Sequence, residues 1–204
     1  KDAVMILLSA YACEPQKGSE PMVGWNHVLE YAKKGHSVHV ITRANNKQSI
    51  ENYLGENLLD EVSFHYYDLP SWLVYLKKGK RGIYFYYLLW QIGIYFLAKR
   101  LMKTYEYDFI HHVTFVSVRQ PSFLGLLGPP FIFGPVGGGE HATKQLRSSL
   151  LSYRVRLYET LRDISNRLIK YDPLMFLTFK TASIIYATSN QTLCDLDYVF
   201  RPYP

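Results

Sequence analysis

The sequence predicts an α/β domain with a Rossmann-like parallel sheet flanked by helices. The run "VMILLSA" near its start is continuously apolar, which is typical of a strand buried on both faces of a parallel sheet. Strand-like and helix-like segments then alternate, and this β-α-β-α-β order is typical of a doubly wound sheet. The chain has 204 residues, of which 48% are hydrophobic, so we expect one large domain over 1–204.

The first half of the predicted sheet alternates with two helices. A helix over 20–36 follows the first strand, because Pro21 suits its first turn and Gly35 suits its C-cap. The core-facing stripe of this helix is predicted to consist of Val23, Val28, Leu29 and Ala32. The other elements predicted here are a second strand over 37–43, a short helix over 46–55 and a third strand over 62–69.

The second half is predicted to add three more strands. A long helix runs from Ile83 to about Tyr105, and many arginines mark one or two amphipathic helices over 144–171. The other elements predicted here are a fourth strand over 108–115, a short helix over 121–128, a fifth strand over 130–136 and a sixth strand over 182–189. The chain then stops at "RPYP" without a closing element, so we expect it to be part of a longer protein.

Charge and cysteine content limit the function only weakly. The formal net charge of +6 favours anionic partners such as phosphates, nucleic acid or an acidic membrane surface. Nucleic acid is the least favoured, because the arginines over 147–167 alternate with acids and apolar residues as on an ordinary amphipathic helix. Cys13 and Cys194 form no metal-binding pattern and predict reduced thiols in a cytoplasmic protein. The histidines are scattered, so neither a metal site nor a cofactor is expected.

The loop "SAYACEPQKGSEPMVGW" after the first strand is the first candidate site. In an open parallel sheet, ligands bind at the carboxyl ends of the strands. Gly18 allows a ligand to approach the backbone, Ser19 can cap the next helix, and Glu20 lies in its first turn, whose amide groups attract anions. The alternative is that "KGSEP" is only a capped turn.

The same loop favours a carbohydrate over a dinucleotide. It contains no G-x-G-x-x-G fingerprint, and the chain has no P-loop. Glu14 and Glu20 repel phosphate, whereas carboxylates accept hydrogen bonds from sugar hydroxyls. Either Trp25 or Tyr11 is a candidate to pack on a sugar face. Any phosphate charge would then be neutralised by groups elsewhere.

Two long segments resemble a known family. Residues 9–46, which include "EPQKGSEPMVGW", and residues 111–140, which end in "GPVGGGE", are similar to the amino-terminal domain of group 1 glycosyltransferases. These are retaining, nucleotide-sugar-dependent enzymes of family 4 with the GT-B fold, and the likeness runs from about Ala3 to Asp195. The resemblance implies an acceptor-side domain, with the nucleotide-sugar domain absent from this chain.

The resemblance also suggests roles for individual residues. Gly18 and Ser19 match the family's first loop, near the donor diphosphate and the acceptor. His112, at the end of the fourth strand, matches a cleft histidine that contacts the transferred sugar; the alternative is a structural histidine with its hydrogen bonds satisfied inside the protein. His111 is expected to face the other way and pack. Arg119 is a candidate for an acidic group on the acceptor or for a surface salt bridge. The next cleft loop is predicted to consist of Gly137, Gly138, Gly139 and Glu140.

The function implied by the resemblance is transfer of a sugar from a nucleotide-sugar donor to a glycan or lipid-linked acceptor. The family's basic pair and its Glu-x(7)-Glu motif belong to the other domain and are not found here. The chain alone is therefore expected to be inactive, and the full-length protein is expected to be a hexosyltransferase-type enzyme of polysaccharide biosynthesis. The alternative is a non-catalytic Rossmann-like module that binds a nucleotide or a glycan.

The aromatic helix raises the question of a membrane. Residues 83–98 carry no charge, but 16 residues are fewer than the 18 or more that suggest a spanning helix. The favoured interpretation is a core-facing helix of a large domain. The alternative is peripheral contact with the anionic inner face of the cell membrane, because basic clusters flank the aromatic segment.

Overall fold

A computed structural model of the chain describes residues 3–74, 79–137, 157, 171–190, 192–194 and 196. Its centre is a six-stranded, all-parallel sheet. The strands are β1 (Met5–Ala10), β2 (Ser37–Thr42), β3 (Val62–Tyr66), β4 (Phe109–Thr114), β5 (Phe131–Val136) and β6 (Ile184–Ala187). The helices are α1 (Glu20–Lys33), α2 (Lys47–Glu56), α3 (Ser71–Val74), α4 (Gly79–Leu101) and α5 (Pro173–Thr181). Short 3-10 helices cover Ala44–Asn46 and Leu124–Leu127.

The strand order is β3-β2-β1-β4-β5-β6. The chain builds outward from β1 to one edge, crosses back beside β1 with β4, and then builds to the other edge. This confirms the α/β, Rossmann-like fold. The loops after β1 and β4 leave the sheet at the point where the strand order reverses, which is where ligands bind in folds of this type.

The sheet buries both of its faces, as the continuous apolar run of β1 predicts. Successive side chains of a strand point to opposite faces, so Leu7 packs in the cluster that contains Trp90 of α4. Leu8 packs in the cluster that contains Trp25 and Val28 of α1. Each face of the sheet therefore has its own hydrophobic core.

Helix α1 has the predicted place, but its buried face differs. Gly35 has a φ of +77°, which confirms the predicted glycine at the C-terminus. Val23 is exposed, so its place in the predicted inner stripe is wrong. The buried face includes Gly24, Trp25 and Val28 instead, because the helix approaches the loop after β1 through its glycine.

Other boundaries also moved. Helix α4 both begins and ends about four residues before its predicted bounds. Helix α5 was missed, although Asp172 accepts hydrogen bonds from Leu174 N at 2.9 Å and Met175 N at 3.3 Å, and Pro173 occupies the first turn. An Asp-Pro pair before an apolar run is the sequence signal that identifies such a helix. The arginine-rich helices predicted over 144–171 lie outside the described residues, apart from Leu157 and Tyr171. None of the helices in the described part combines the length and the hydropathy needed to cross a bilayer.

Gly24 provides a test of how closely α1 packs against the first loop. A Cβ at this position overlaps the backbone oxygen of Ala12 and lies 3.1 Å from Thr114 Cγ2. We expect Gly24→Ala to lower the free energy of unfolding by about 2 kcal/mol, measured by urea denaturation. Gly55→Ala in α2 is the control, because its Cβ meets nothing within 4 Å. It should raise the same free energy by about 0.5 kcal/mol or more. Equal effects of the two variants would contradict this packing.

Candidate functional site at the carboxyl edge of the sheet

Three loops meet at the carboxyl edge of the sheet, and we call this edge the rim. The loop after β1 is joined to the loop after β4 by a hydrogen bond from Phe115 N to Glu20 Oε1. The loop after β4 is joined to the end of β5, since Val118 N donates to Gly137 O at 3.2 Å and Gly137 N donates to Val116 O at 3.3 Å. The loops that carry Glu20, Arg119 and Gly137 of the predicted site therefore share one edge. Gly138, Gly139 and Glu140 lie outside the described residues.

Glu20 acts as the clamp between the first two loops. It lies in the first turn of α1, where the helix dipole favours a negative charge. Its carboxyl is half-buried, and this desolvation raises its pKa, while the bond from Phe115 N lowers it. One carboxylate oxygen of Glu20 therefore accepts a hydrogen bond within the protein. At most the other oxygen is left for the predicted hydrogen bond with a sugar hydroxyl.

Phe115 has a left-handed backbone conformation, with a φ of +58°. Such a φ is strained for a bulky residue and needs support from its surroundings. The support comes from Glu20 at its amide and from aromatic contacts at its ring, whose centroid lies 4.7 Å from that of Tyr11 and 5.2 Å from that of Tyr87. The end of β4 is therefore held rigidly at the rim.

Gly18 lies in an open part of the first loop, and the approach of a ligand to its backbone stays a prediction. Gly18 is exposed and lies outside the left-handed region, whereas Gln16 and Ser19 have φ values of +59° and +63°. A Cβ on Gly18 would meet nothing within 4 Å, so the rim is open to solvent at this point. The conformational freedom of Gly18 is thus not required by the fold, but the space above it is free for a ligand.

Ser19 is the N-cap residue of α1, but its side chain makes no capping hydrogen bond. The prediction of a serine cap is therefore wrong. The reason lies in its backbone, because a capping side chain needs an extended N-cap residue and Ser19 has a φ of +63°. Its carbonyl oxygen instead accepts from Met22 N at 3.2 Å and Val23 N at 3.3 Å.

Glu14 faces inward, which corrects the argument for sugar binding by this residue. Its carboxylate accepts from Lys17 Nζ at 2.8 Å and from Ser49 Oγ at 3.0 Å. The residue is buried and links the first loop to α2. Its oxygens serve the protein, so the sequence signal of two acids reflects the anchoring of the loop.

The two aromatic candidates for a sugar platform are also buried. Trp25 is 2% exposed and contacts Tyr53, with ring centroids 5.0 Å apart. Tyr11 is 7% exposed, and its ring meets that of Trp90 edge-on at 5.0 Å. The prediction that either ring packs on a sugar is therefore wrong for this structure. Both belong to the hydrophobic cores.

His112 lies at the centre of a buried polar network. It is 0% exposed, with Nδ1 2.9 Å from Ser9 Oγ and Nε2 2.9 Å from the hydroxyl of Tyr87. Gln91 Nε2 donates to the same hydroxyl at 2.9 Å. The expectation that His112 presents its ring at the rim is thus wrong, because both ring nitrogens are engaged inside the protein. Its predicted contact with a sugar stays a prediction that this arrangement does not support.

The burial of His112 also fixes its charge. Desolvation lowers its pKa to about 3, with a further contribution from the neighbouring His111. The imidazole is therefore neutral near pH 7. His111 faces the other side of the sheet, as predicted, with Nδ1 2.9 Å from the hydroxyl of Tyr31 and Nε2 3.0 Å from Gly134 O. Desolvation likewise lowers the pKa of His111 to about 4.

Arg119 lies in the loop after β4 and is half-buried. Its backbone N donates to Ser117 Oγ at 3.2 Å, and Ser117 forms an isolated parallel bridge with Gly137. Arg119 therefore lies two residues along the chain from Ser117, which pairs with Gly137 at the rim. Its contact with an acidic group on an acceptor stays a prediction.

Sequence reasoning missed an ion pair at the same edge. Arg43 follows β2 and Asp68 follows β3, and the guanidinium donates to both carboxylate oxygens at 3.0 and 3.1 Å. The guanidinium carbon lies 5.1 Å from the ring centroid of Tyr11 and 5.3 Å from that of Tyr86. The signal was available, because charged residues after neighbouring parallel strands meet at one edge. The pair stiffens the rim beside the first loop.

An open depression at the end of β6 was also not foreseen. Its volume is about 460 Å³, and its lining includes Thr188, Ser189 and Asn190. It adjoins the rim, because Thr188 N donates to Val136 O at 2.9 Å. Hydroxyl and amide groups of this kind suit a hydroxyl-bearing ligand.

Two further searches, one for metal-binding groups in the described residues and one for similar proteins, identify nothing at this site. In the described ranges, no three His, Cys, Asp or Glu residues are grouped so that they could hold a metal ion. Comparison of the sequence with models of protein families finds no match, and comparison with curated proteins finds no relative.

The buried state of His112 predicts a loss of stability in acid. A histidine whose pKa falls on folding binds fewer protons in the native state, so its contribution is full above about pH 6.5 and declines as the pH falls toward 3. When the pH is lowered from about 8 to about 5, His112 alone should lower the free energy of unfolding by about 2 kcal/mol. His112→Gln should flatten the pH dependence by that amount in urea denaturation, whatever its effect at neutral pH. An unchanged slope would mean that His112 is accessible to protons in the folded protein.

Proposed function

We propose that this chain is the acceptor-binding domain of a retaining glycosyltransferase of the GT-B fold. The full-length enzyme would transfer a sugar from a nucleotide-sugar donor to a glycan or lipid-linked acceptor. The observation that carries the proposal is the convergence of the first loop, the loop after β4 and Gly137 on one rim. The resemblance of residues 9–46 and 111–140 to that family supports the same function.

The rim suits the holding of an acceptor. Glu20 and Phe115 fix two loops against each other, and the space above Gly18 is free. Rigid loops of this kind position a hydroxyl for reaction, which is a large part of catalysis when two substrates must meet. We assign no nucleophile or general base in this chain, and His112 is left out because its ring is buried.

The donor is assigned mainly to a second domain. Retaining transfer requires stabilisation of the departing diphosphate, which calls for basic groups aimed at the phosphates. Arg43 is already paired with Asp68 at the described rim. We therefore expect only weak binding of nucleotide sugars to this chain.

The second candidate function is a non-catalytic module that binds a glycan or a nucleotide. The burial of His112 favours it, because the residue predicted for catalysis does not reach the rim. The two candidates differ in the full-length protein: only the first predicts transfer of a labelled sugar to an acceptor. Both predict that a ligand binds at the rim.

The proposal also includes a location. We propose a cytoplasmic protein that attaches peripherally to the inner face of the cell membrane, where lipid-linked acceptors would be met. Polysaccharide biosynthesis is the process that fits such an acceptor. The net charge of +6 supports attachment to an anionic surface.

Gly18 permits a test that separates binding from folding. Because a Cβ there meets nothing within 4 Å, Gly18→Leu should fold normally while filling the space above the rim. Amide NMR titration with octyl glucoside, as an acceptor mimic below its micelle concentration, should shift amides of the first loop and the loop after β4. UDP-glucose and GDP-mannose should give weaker shifts. Gly18→Leu should weaken the glycoside effect by about tenfold, which corresponds to about 1.4 kcal/mol.

Gly55→Leu is the matched control, since its Cβ is equally free but it lies on α2. It should leave the titration unchanged. Glycoside shifts away from the rim would contradict the proposed site. Nucleotide-sugar binding with a nanomolar Kd would contradict the division of labour between the domains and favour the nucleotide-binding module.

A further inference from the structure

Helix α4 presents a row of large apolar side chains to solvent. Phe85, Ile92 and Phe96 are 51%, 40% and 62% exposed, and their spacing of seven and four residues puts them on one side of the helix. Leu88 and Leu89 lie beside them and are partly exposed. We call these five residues the α4 stripe. Exposed apolar residues scattered singly are ordinary, but a continuous row along one helix marks an interaction surface.

The opposite side of α4 is fixed in the protein. Tyr86, Trp90 and Ile94 are completely buried in the core against the sheet. Between Tyr86 and Ile94 the helix therefore offers a partner only one side, and the stripe from Phe85 to Phe96 is about 17 Å long. A partner must lie along the helix.

The chain segment that contains the stripe carries charge of one sign. Seven of the chain's 23 Lys and Arg residues, and none of its 17 Asp and Glu residues, lie between Leu69 and Tyr105. The rest of the chain therefore has 16 basic and 17 acidic residues, so the positive charge of the protein is concentrated in this segment. Lys99 and Arg100 are exposed in the last turn of α4, three and four residues after Phe96, and so lie on the stripe's side of the helix.

We infer that the α4 stripe is the surface by which this protein binds an anionic lipid membrane. Aromatic and aliphatic side chains beside cations match the apolar boundary and the charged head groups of such a surface. A second copy of the chain fits less well, because a symmetric contact through this face would bring two uncompensated positive segments together. The inference rests on the peripheral attachment proposed above and names the surface responsible.

The place of the stripe suits an acceptor that is held in the membrane. Tyr87, two residues from Phe85, contacts Phe115 and Tyr11 behind the rim. The amino-terminal part of the stripe is thus close to the rim, and its basic end is remote from it. A bilayer along the stripe would therefore hold the rim in a fixed orientation relative to the head groups.

Vesicle binding tests the inference without donor or acceptor. The whole chain should co-sediment with vesicles of phosphatidylcholine containing about 30% phosphatidylglycerol, and at least tenfold more weakly with phosphatidylcholine alone or when salt screens the charges. Phe96→Ser should weaken binding to the anionic vesicles by roughly tenfold or more. Lys99→Gln with Arg100→Gln should weaken it by roughly tenfold to thirtyfold.

Two matched controls make the result specific. Leu58→Ser removes an even more exposed apolar residue outside the stripe, and Lys33→Gln with Lys34→Gln neutralises an adjacent basic pair at the end of α1. Both controls should bind like the unsubstituted chain, and circular dichroism should show that every variant is folded. Equal loss in the controls, or no preference for anionic vesicles, would overturn the inference. So would a dimer in analytical ultracentrifugation that Phe96→Ser dissociates while vesicle binding is absent.

If vesicle binding depends on the stripe but no ligand reaches the rim, the membrane surface stands and the transferase proposal fails. If the rim binds glycosides but the vesicle assay is negative, the transferase proposal stands without this surface. The two experiments therefore distinguish failure of the proposed membrane surface from failure of the transferase proposal.

Discussion

The hydrogen bond between Glu20 and the amide of Phe115 is the constraint that organises this edge of the protein. It joins the first turn of α1 to the end of β4, 95 residues further along the chain. Burying a carboxylate is unfavourable, and the raised pKa of Glu20 records that cost. The helix dipole and the amide donor offset it. The result is a left-handed Phe115 whose ring completes the aromatic packing of Tyr11 and Tyr87, so that rim and core are built from the same residues.

The two adjacent histidines of β4 show how one strand serves both layers. His111 bonds toward α1 through Tyr31, and His112 bonds toward α4 through Tyr87. Each ring is neutral because burial disfavours the charged form. A neutral imidazole has one donor and one acceptor nitrogen, which lets it join polar groups on two elements without a charged partner. The core therefore contains directional bonds that set how each helix layer sits on the sheet.

Local sequence predicted the fold because strand burial and helix punctuation are local properties. The apolar run predicted the buried strand β1 and Gly35 predicted the end of α1, and both predictions are confirmed because each depends only on neighbouring residues. The side-chain roles were harder. Glu14 lies in the loop after β1 and Trp25 lies in the second turn of α1, yet both side chains turn inward, because their partners Ser49 and Tyr53 lie on α2. Pairings across such separations have no periodic signal, and the same is true of Glu20 and Phe115.

The predicted serine cap and the predicted cleft histidine went wrong for a related reason. Ser19 has the residue type of an N-cap, but its backbone conformation is set by how the whole loop closes over α1. His112 ends a strand, but α4 covers that end with Tyr87 and Gln91. Residue type states what a side chain can do, and packing decides whether it is available to do it.

The unequal distribution of charge adds a constraint that neither the sheet nor the rim supplies. A domain whose net positive charge lies in one segment, with a nearly neutral remainder, has a preferred orientation in the field of an anionic surface. Because α4 is fixed to the sheet by Trp90 and Ile94, orienting the helix orients the whole domain. The rim, joined to the same helix through Tyr87, then faces a defined direction. In the field of an anionic surface, the orientation of the rim would thus follow from this packing and this distribution of charge.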